Sequence, residues 1–356
     1  MLPARSEIIH GRHARGERVA AVFPIHYPRA LFYAFDILPI EVWGPPKMDP
    51  NLGAAHLQPY ICSIVRNALA FQLSGGLDSA DILVVPHACD SLQGLGSILI
   101  DFIHPKQPVL TIYLPRGNRE SGLEFLADEF RALYRQLAEI TGCQPSDAEL
   151  MASIRADERA DQLLAQLHRQ RRTLPLAQLE LYRLIRSREF LPVEDFCKLA
   201  ESTLMTAASA NGGIPIIHSG YVPEPMEMLR ALSESGGLVV ADDLACCGRR
   251  VYPPGTSDDP FVRMAERILN APPDSTRGSP IQDRLEHLLR MANDSGAKGI
   301  VFYNVKFCEP ELFYLPTLRK GLESAGVPSL VVETDVSDPL THQVVTRLEA
   351  FLEMIA

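Results

Sequence analysis

Short apolar runs alternate with segments of helical periodicity in the first third of the chain. Four of these runs predict strands, at residues 18–24, 40–43, 81–86 and 108–114. Each run stops at or beside a proline or glycine, residues that commonly end a strand. Apolar positions at helical spacing in the segments between them, such as residues 60–71, predict intervening helices.

The same alternation resumes in the last third of the chain. The runs 214–220, 237–241, 299–303 and 329–332 predict four more strands, again with helical segments between them. Alternation of strands and helices favours parallel sheets that are covered by helices on both faces. The sequence therefore predicts the α/β class, with one sheet in each half of the chain.

The middle of the chain has a different pattern, with long, charged, Leu- and Ala-rich amphipathic segments broken near Pro145, Pro175 and Pro192. A length of 356 residues suits two domains of about 150 residues each with a connecting segment. We expect a polar N-terminal tail, a first α/β domain, a helical connector and a second α/β domain, at residues 1–17, 18–120, 121–210 and 211–356.

Charge and hydropathy exclude some classes of partner. The formal net charge is −10, and the densest basic patch, His168–Arg172, is expected to be a solvated helix end. A duplex nucleic acid would require a broad basic face, so no nucleic acid partner is expected. No apolar run approaches the roughly 20 residues of a membrane span, and residues 1–17 lack the apolar core of a secretory signal. We expect no membrane association and a cytoplasmic location.

Cysteines are the candidate functional residues. The chain has seven, an odd number, and disulfides are not expected in a reducing compartment. Cys89 and Cys308 each follow a predicted strand, and ligands bind at the carboxyl ends of strands in open α/β sheets. Cys62 lies at the beginning of a predicted helix, where the helix dipole favours a thiolate. Each alone also suits a small buried side chain, but together they predict a soft-metal or iron–sulfur site across the domain cleft.

The turn after residues 237–241 leaves several interpretations open. One of the adjacent Cys246 and Cys247 is a further candidate ligand, and Gly248–Arg250 is a candidate anion site. Asp242–Asp243 suits a general base, a helix cap or a solvated pair.

Other residues are less promising candidates. Cys143 and Cys197 follow no strand and are expected to be incidental, while His26 and His87 suit packing or capping. The chain contains no Gly-x-Gly-x-x-Gly fingerprint, Walker loop or Gly-x-Ser-x-Gly elbow, so nucleotide binding by this chain is not supported.

A family likeness is carried by stretches that occur in order along residues 18–356. They are Phe23–Arg29, Ile37–Pro39, Tyr60–Arg66, Pro86–Asp90, Ala241–Leu244, Gly248–Arg250, Phe302–Cys308 and Glu333–Asp335. Together they resemble the 2-hydroxyacyl-CoA dehydratase and benzoyl-CoA reductase family, particularly its shorter subunits. The chain departs from the family pattern at Asp36, where relatives commonly have glycine; the carboxylate there either faces solvent or reshapes a substrate pocket.

The resemblance implies a fold and a chemistry. It implies two Rossmann-like parallel-sheet domains joined by a helical segment, with an iron–sulfur cluster, 4Fe-4S or a double cubane, in the cleft between them. Cys62, Cys89 and Cys308 match the ligand cysteines of the family. The implied enzyme is an oxygen-sensitive oxidoreductase or lyase of anaerobic metabolism that reduces or dehydrates an acyl-CoA through a ketyl radical. Its implied partners are a homologous subunit, in a heterodimer or homodimer, and an ATP-dependent iron–sulfur activator protein.

Two alternatives stay open from the sequence. The chain is also compatible with an electron-relay or double-cubane subunit that reduces small molecules. A third interpretation, from a different class, is a zinc-binding or metal-free α/β module whose cysteines are simply packed.

Overall fold

The computed structural model describes residues 2–116, 119–206 and 212–356 of the chain. Its first half contains a four-stranded parallel sheet in the order β2–β1–β3–β4. The strands are β1 (Arg18–Val22), β2 (Ile37–Glu41), β3 (Ile82–His87) and β4 (Val109–Tyr113). The helices that accompany it are α2 (Arg29–Ala34), α3 (Ser63–Leu73) and α4 (Asp90–Ile98).

The second half repeats this arrangement, with a parallel sheet in the order β6–β5–β7–β8. Its strands are β5 (Ile214–Gly220), β6 (Gly237–Leu244), β7 (Gly299–Val305) and β8 (Ser329–Thr334). Its helices are α9 (Glu227–Glu234), α10 (Pro260–Leu269), α11 (Ile281–Ser295), α12 (Glu309–Ser324) and α13 (His342–Ile355). The two parallel sheets confirm the predicted α/β class and its two Rossmann-like units.

Four helices lie between the two sheets along the chain. They are α5 (Arg119–Thr141), α6 (Asp147–Gln170), α7 (Gln178–Ser187) and α8 (Val193–Leu204). Ser146 caps α6 by accepting from the N–H of Glu149, whose carboxylate accepts in return from the N–H of Ser146. One apolar core runs from the first sheet through α6, α7 and α8 to the second sheet, so the helices are packed on both.

Each sheet has a topological switch point. The chain leaves β1 for β2 on one side, while β3 lies on the other; β5 has the same relationship to β6 and β7. In such sheets a crevice opens at the carboxyl ends of the two strands beside the switch point. In the second sheet this edge requires Gly220, because its φ is +147° and a Cβ there would lie 2.0 Å from the carbonyl oxygen of Tyr303.

The N-terminal segment, expected to be a polar tail, contains a helix, α1 (Arg5–Ala14). None of its residues is fully buried, and polar contacts hold it to the first half of the chain. His13 lies 3.2 Å from the Asp81 carboxylate, and Arg12 donates to Asp36 at 3.1 Å. This helix was not predicted, because its few apolar residues do not form a regular apolar stripe along the sequence. They pack against the first sheet.

The backbone conformation at Asp36 accounts for the glycine that relatives commonly have there. Its φ is +55°, a conformation that glycine adopts freely and that aspartate tolerates better than most residues. The side chain is 76% exposed and pairs with Arg12. Of the two interpretations left open by the sequence, the structure therefore supports the one in which this carboxylate faces solvent.

None of the helices in the described residues is both long enough and apolar enough to cross a membrane.

Candidate functional site

Three of the cysteines share one structural setting. Cys62, Cys89 and Cys308 each lie immediately before the first residue of a helix, α3, α4 and α12 respectively. The positive end of a helix dipole favours a negative charge such as a thiolate. Backbone N–H groups in the first turn of each helix point at the thiol and favour its charged form, and none of the three cysteines is in a disulfide.

The two sheets place Cys89 and Cys308 in equivalent positions. Cys89 comes shortly after β3 and Cys308 shortly after β7, the strands beside the two switch points. Cys62 ends the segment that leads from β2 to α3. Cys62 and Cys308 are buried and Cys89 is half-buried, and all three are free thiols.

The three thiols lie within electrostatic range of one another. Burial, with a smaller contribution from a charge on Cys62, raises the pKa of Cys89 to about 12. Burial also raises the pKa of Cys308, and charges on Cys62, Glu311 and Cys89 add to that effect. Burial raises the pKa of Cys62, although the N–H groups of Val65 and Ile64 oppose it. In the protein alone these thiols are therefore protonated at neutral pH.

The described residues contain no group of three or more His, Cys, Asp or Glu side chains arranged to hold a metal ion. The three cysteines thus do not form a ready-made site for a single ion in the protein alone.

The position of Cys62 is fixed by contacts between the two halves of the chain. Arg66, in the first turn of α3, donates to Asp335 at 2.6 Å, and Ser63 accepts from the N–H of Val336 at 3.1 Å. Asn67 donates to the hydroxyl of Ser337 at 2.8 Å. These bonds tie the helix that begins after Cys62 to the loop that follows β8, which is the neighbour of β7 in the second sheet.

The position of Cys308 is fixed by a buried charge cluster. Arg249 donates to Glu311, in the first turn of α12, at 2.7 Å and to Asp274 at 3.1 Å. Arg249 also pairs with Asp243, which receives two further bonds from Arg284, both at 2.7 Å. All of these side chains are almost fully buried, so the turn after β6 and the beginning of α12 form one rigid unit.

A second buried cluster joins the halves near the carboxyl end of β2. Glu41 accepts from Arg29, from Arg250 in the second half of the chain, and from the indole N–H of Trp43 at 2.8 Å. Burial acts to raise the pKa of Glu41, but Arg250 and Arg29 outweigh it and hold this pKa at about 2. Glu41 is therefore charged throughout the physiological range.

Several polar residues singled out in the sequence are internal ion-pair partners. β6 extends through Leu244, so Asp242 and Asp243 lie within the strand and are buried. The interpretations of this pair as a general base or a solvated pair are wrong, because cations occupy both carboxylates. Arg249 and Arg250 are likewise neutralised by buried acids, so Gly248–Arg250 is not an anion site.

The basic patch His168–Arg172 is only partly a solvated helix end. Arg171 is buried and donates to Asp242 at 3.0 Å, while His168 lies 3.3 Å from the same carboxylate. Burial acts to raise the pKa of Asp242, but His168 and Arg171 keep it below its ordinary value. The cations were predicted to be exposed because their acidic partner lies far away in the sequence.

The remaining four cysteines have other settings in the fold. Cys246 and Cys247 are buried with their sulfur atoms 3.4 Å apart, and the pKa of Cys247 is raised by burial and by Cys246. Cys143 is exposed after α5, and Cys197 is half-buried in α8. That one of Cys246 and Cys247 is a further ligand stays a prediction.

His26 and His87 have different surroundings. His26 is buried, hydrogen-bonded to the Tyr252 hydroxyl at 3.3 Å, and lies 3.9 Å from Asp274. The His87 ring packs edge-on against Tyr113, with 4.6 Å between ring centroids. His87 therefore packs against a ring, whereas His26 lies in a buried polar contact, and the expectation of packing or capping roles for the two stays a prediction.

Sequence analysis missed the side chains that position the cysteines. The ion pairs of Glu41, which join the two halves, were missed too, although a single carboxylate within the apolar run 37–43 has to find a buried cation. The contact between Arg66 and Asp335 could not be predicted, since nothing in the sequence around either residue indicates that they meet.

Comparison with known proteins gives a consistent result. A family described as 2-hydroxyglutaryl-CoA dehydratase, D-component, matches residues 24–355. The chain is 25% identical over 352 residues to the (R)-phenyllactyl-CoA dehydratase beta subunit of Clostridium sporogenes, covering 96% of this chain and 92% of that protein. It is 24% identical over 355 residues to the (R)-2-hydroxyglutaryl-CoA dehydratase beta subunit of Acidaminococcus fermentans, covering 96% and 93%. It is 25% identical over 324 residues to a subunit of the benzoyl-CoA reductase of Thauera aromatica, covering 87% and 84%.

Proposed function

Since the chain belongs to the 2-hydroxyglutaryl-CoA dehydratase D-component family, we propose that it is the iron–sulfur subunit of an enzyme that dehydrates or reduces an acyl-CoA thioester. In this proposal Cys62, Cys89 and Cys308 are the protein ligands of the cluster. The family membership and the names of the relatives support a subunit of the dehydratase or reductase type. The assignment of the ligands comes from the match of these cysteines to the ligand cysteines of the family, and the positions of the three thiols before helices support it.

The observation that carries the proposal is the shared setting of the three thiols. They are free, they precede three different helices, and charges on Cys62 and Cys89 raise the pKa of a neighbouring thiol. The three thiols lie within electrostatic range of one another, and bound iron would draw off their protons and balance the resulting charge. The helix dipoles would favour a cluster of negative net charge.

The donor set fits an iron–sulfur cluster better than zinc. A zinc ion holds its sulfur ligands at about 2.3 Å, which brings those sulfurs into contact with one another. Structural zinc sites usually take close Cys-x-x-Cys pairs, whereas Cys62, Cys89 and Cys308 precede three different helices and no such pair occurs in the sequence. A cluster contains several iron atoms and is therefore bound by thiolates that are further apart.

When bound, such a cluster supplies single electrons at low potential. The residues of this chain would bind the cluster, hold it in position and shield it from water. Cys62, Cys89 and Cys308 would bind the cluster, and the contacts of Arg66 and Arg249 would hold the helices in place. The apolar side chains around the thiols would limit the access of water, which would otherwise consume the electrons.

The proposed partners follow from the same family. The relatives are named as subunits, which supports assembly of this chain with a homologous subunit. We also propose an ATP-dependent activator as the source of the electron and an acyl-CoA as the substrate. No feature of the described residues assigns the acyl group.

The proposal is tested by anaerobic purification followed by analysis of iron, acid-labile sulfide and zinc. We expect iron and sulfide without stoichiometric zinc, and loss of the cluster's visible absorption in Cys62→Ala, Cys89→Ala and Cys308→Ala. The matched controls are Cys143→Ala and Cys197→Ala, which should retain it. A colourless zinc protein, or bleaching by Cys143→Ala, would contradict the assignment.

A binding measurement separates a substrate-binding subunit from an electron relay. Isothermal titration of the cluster-loaded chain with an acyl-CoA should show binding if this chain contributes to the substrate site. Binding only after the partner subunit is added would identify the chain as the relay.

A further inference from the structure

A large cavity lies between α1 and the first sheet, away from the three cysteines. Its volume is about 700 Å³, within the range of small-molecule sites. It extends from the end of β2 to Phe71 and Leu77, near the end of α3 that is remote from Cys62. No cysteine is among the described residues that line it. The cavity opens to solvent at the exposed Ser79, so a small molecule can enter it.

The walls of the cavity are mainly apolar. Ala21 and Ile40, which pair across β1 and β2, form part of the floor, and Trp43, Phe71 and Phe190 line the sides. One face of α1, including Ile9, forms the roof. This roof restricts entry to a small molecule, because another protein would have to displace α1 to reach the floor.

One polar group in the wall lacks a partner. Oε2 of Glu224 is buried and has no hydrogen bond, while Oε1 of the same carboxylate accepts from Arg186. Arg186 also donates to the Glu189 carboxylate at 2.7 Å, and Arg5 donates to the same carboxylate. Among the lining residues that the structure describes, Glu224 is thus the one that leaves a buried polar atom for a ligand. A buried acceptor without a donor costs about 1–3 kcal/mol.

We propose that this cavity binds a neutral organic molecule with a hydrocarbon body and one O–H or N–H group, which donates to Glu224. The apolar walls accept the hydrocarbon, and the free oxygen of Glu224 accepts the hydrogen bond. A cationic ligand is disfavoured because its charge would lie near the guanidinium of Arg186, which already pairs with the Glu224 carboxylate. A carboxylate ligand is disfavoured because its charge would face the unpaired oxygen of Glu224.

The protein carries its own reporter for this site. Trp43 is the single tryptophan of the chain and lies in the cavity wall. Titration of the full chain with 1-octanol should change Trp43 fluorescence in a saturable way. Octanoate, which has the same chain length but an anionic head, should bind about tenfold more weakly, corresponding to one lost hydrogen bond.

Three variants make the test specific. Ser79→Phe, at the exposed rim, should weaken octanol binding at least tenfold without disturbing the core, whereas Ser324→Phe, on an exposed turn of α12, should leave it unchanged. Glu224→Gln should remove most of the preference for octanol over octanoate. The inference is overturned if octanol causes no saturable change, if both Phe variants behave alike, or if octanoate binds the wild-type chain more tightly than octanol.

Discussion

Arg66 and Asp335 join the two halves of the chain at the point where the helix after Cys62 begins. The guanidinium donates to Oδ2 of Asp335 at 2.6 Å, and both side chains are largely buried. Asp335 belongs to the loop after β8, and β8 lies beside the strand that leads to Cys308. The distance between Cys62 and Cys308 therefore depends on this ion pair as well as on the fold of each half.

Replacing Asp335 by Asn should loosen this junction. We expect a loss of about 1 kcal/mol in the free energy of unfolding, because one partly buried charged hydrogen bond is weakened. The cluster's electron paramagnetic resonance signal should broaden, and iron should be lost faster to a chelator. Glu201→Gln provides the control, since it breaks the exposed Arg159–Glu201 pair in the helical segment and should change neither quantity measurably. An unchanged rate of iron loss in Asp335→Asn would show that the pair does not position Cys62.

Thiol reactivity in the cluster-free protein should follow exposure and pKa. Alkylation requires an accessible thiolate. Cys143 is exposed, whereas burial raises the pKa of Cys62, Cys89 and Cys308. Brief treatment with iodoacetamide at pH 7 should therefore modify Cys143 first, as measured by peptide mass spectrometry. All seven cysteines should react once the chain is unfolded in urea. Rapid native labelling at Cys62 or Cys308 would contradict the burial of these two thiols.

Glu41→Gln should destabilise the protein strongly at neutral pH. The change leaves Arg29 and Arg250 buried without their shared counter-ion, and breaking a buried pair in this way costs about 3–5 kcal/mol. Urea unfolding at pH 7 measures this difference. A loss below about 1 kcal/mol would show that water reaches the two arginines.

The same pair of proteins gives a pH test of the Glu41 charge. The pKa of Glu41 falls from its ordinary 4.5 to about 2 in the folded state. A lowered pKa contributes stability that is fully present above about pH 4.5 and is lost as the pH falls towards 2. The advantage of the wild-type chain over Glu41→Gln should therefore shrink across that interval, and a constant advantage would contradict the assignment.

Local sequence patterns were sufficient for the sheets and for the cysteines at their edges. The apolar runs before Cys89 and Cys308 are buried strands, as predicted, because strands covered on both faces have to be apolar throughout. The helix after Cys62 was also predictable from its apolar spacing, although it begins at Ser63 rather than before the cysteine. Whether the three cysteines share a cluster remains a proposal.

Ion pairs between residues that lie far apart in the sequence could not be predicted from local sequence patterns. Asp242 and Asp243 appeared to end a strand because two adjacent acids are usually solvated. They continue it because Arg171 and Arg284, supplied by other parts of the chain, neutralise them inside the core. The cavity under α1 was equally unpredictable, since its walls are assembled from stretches that lie far apart in the sequence.

Arg249→Met should be the most damaging single change near Cys308. Arg249 is fully buried and contacts three acids, Asp243, Asp274 and Glu311. Removing it leaves their negative charges without this cation, for an expected loss of about 3–5 kcal/mol in the free energy of unfolding. Arg249 now lowers the pKa of Asp274 and Asp243 against the effect of burial, so both pKa values should rise in the variant. Protonation of these acids should then relieve the defect, and the loss measured by urea unfolding should be smaller at pH 5 than at pH 7.

Arg290→Met, which removes an exposed arginine 3.7 Å from Glu286, is the control and should cost under about 0.5 kcal/mol at both values. A loss in Arg249→Met that does not depend on pH would mean that the missing side-chain volume, and not the unpaired charge, destabilises the first turn of the helix after Cys308.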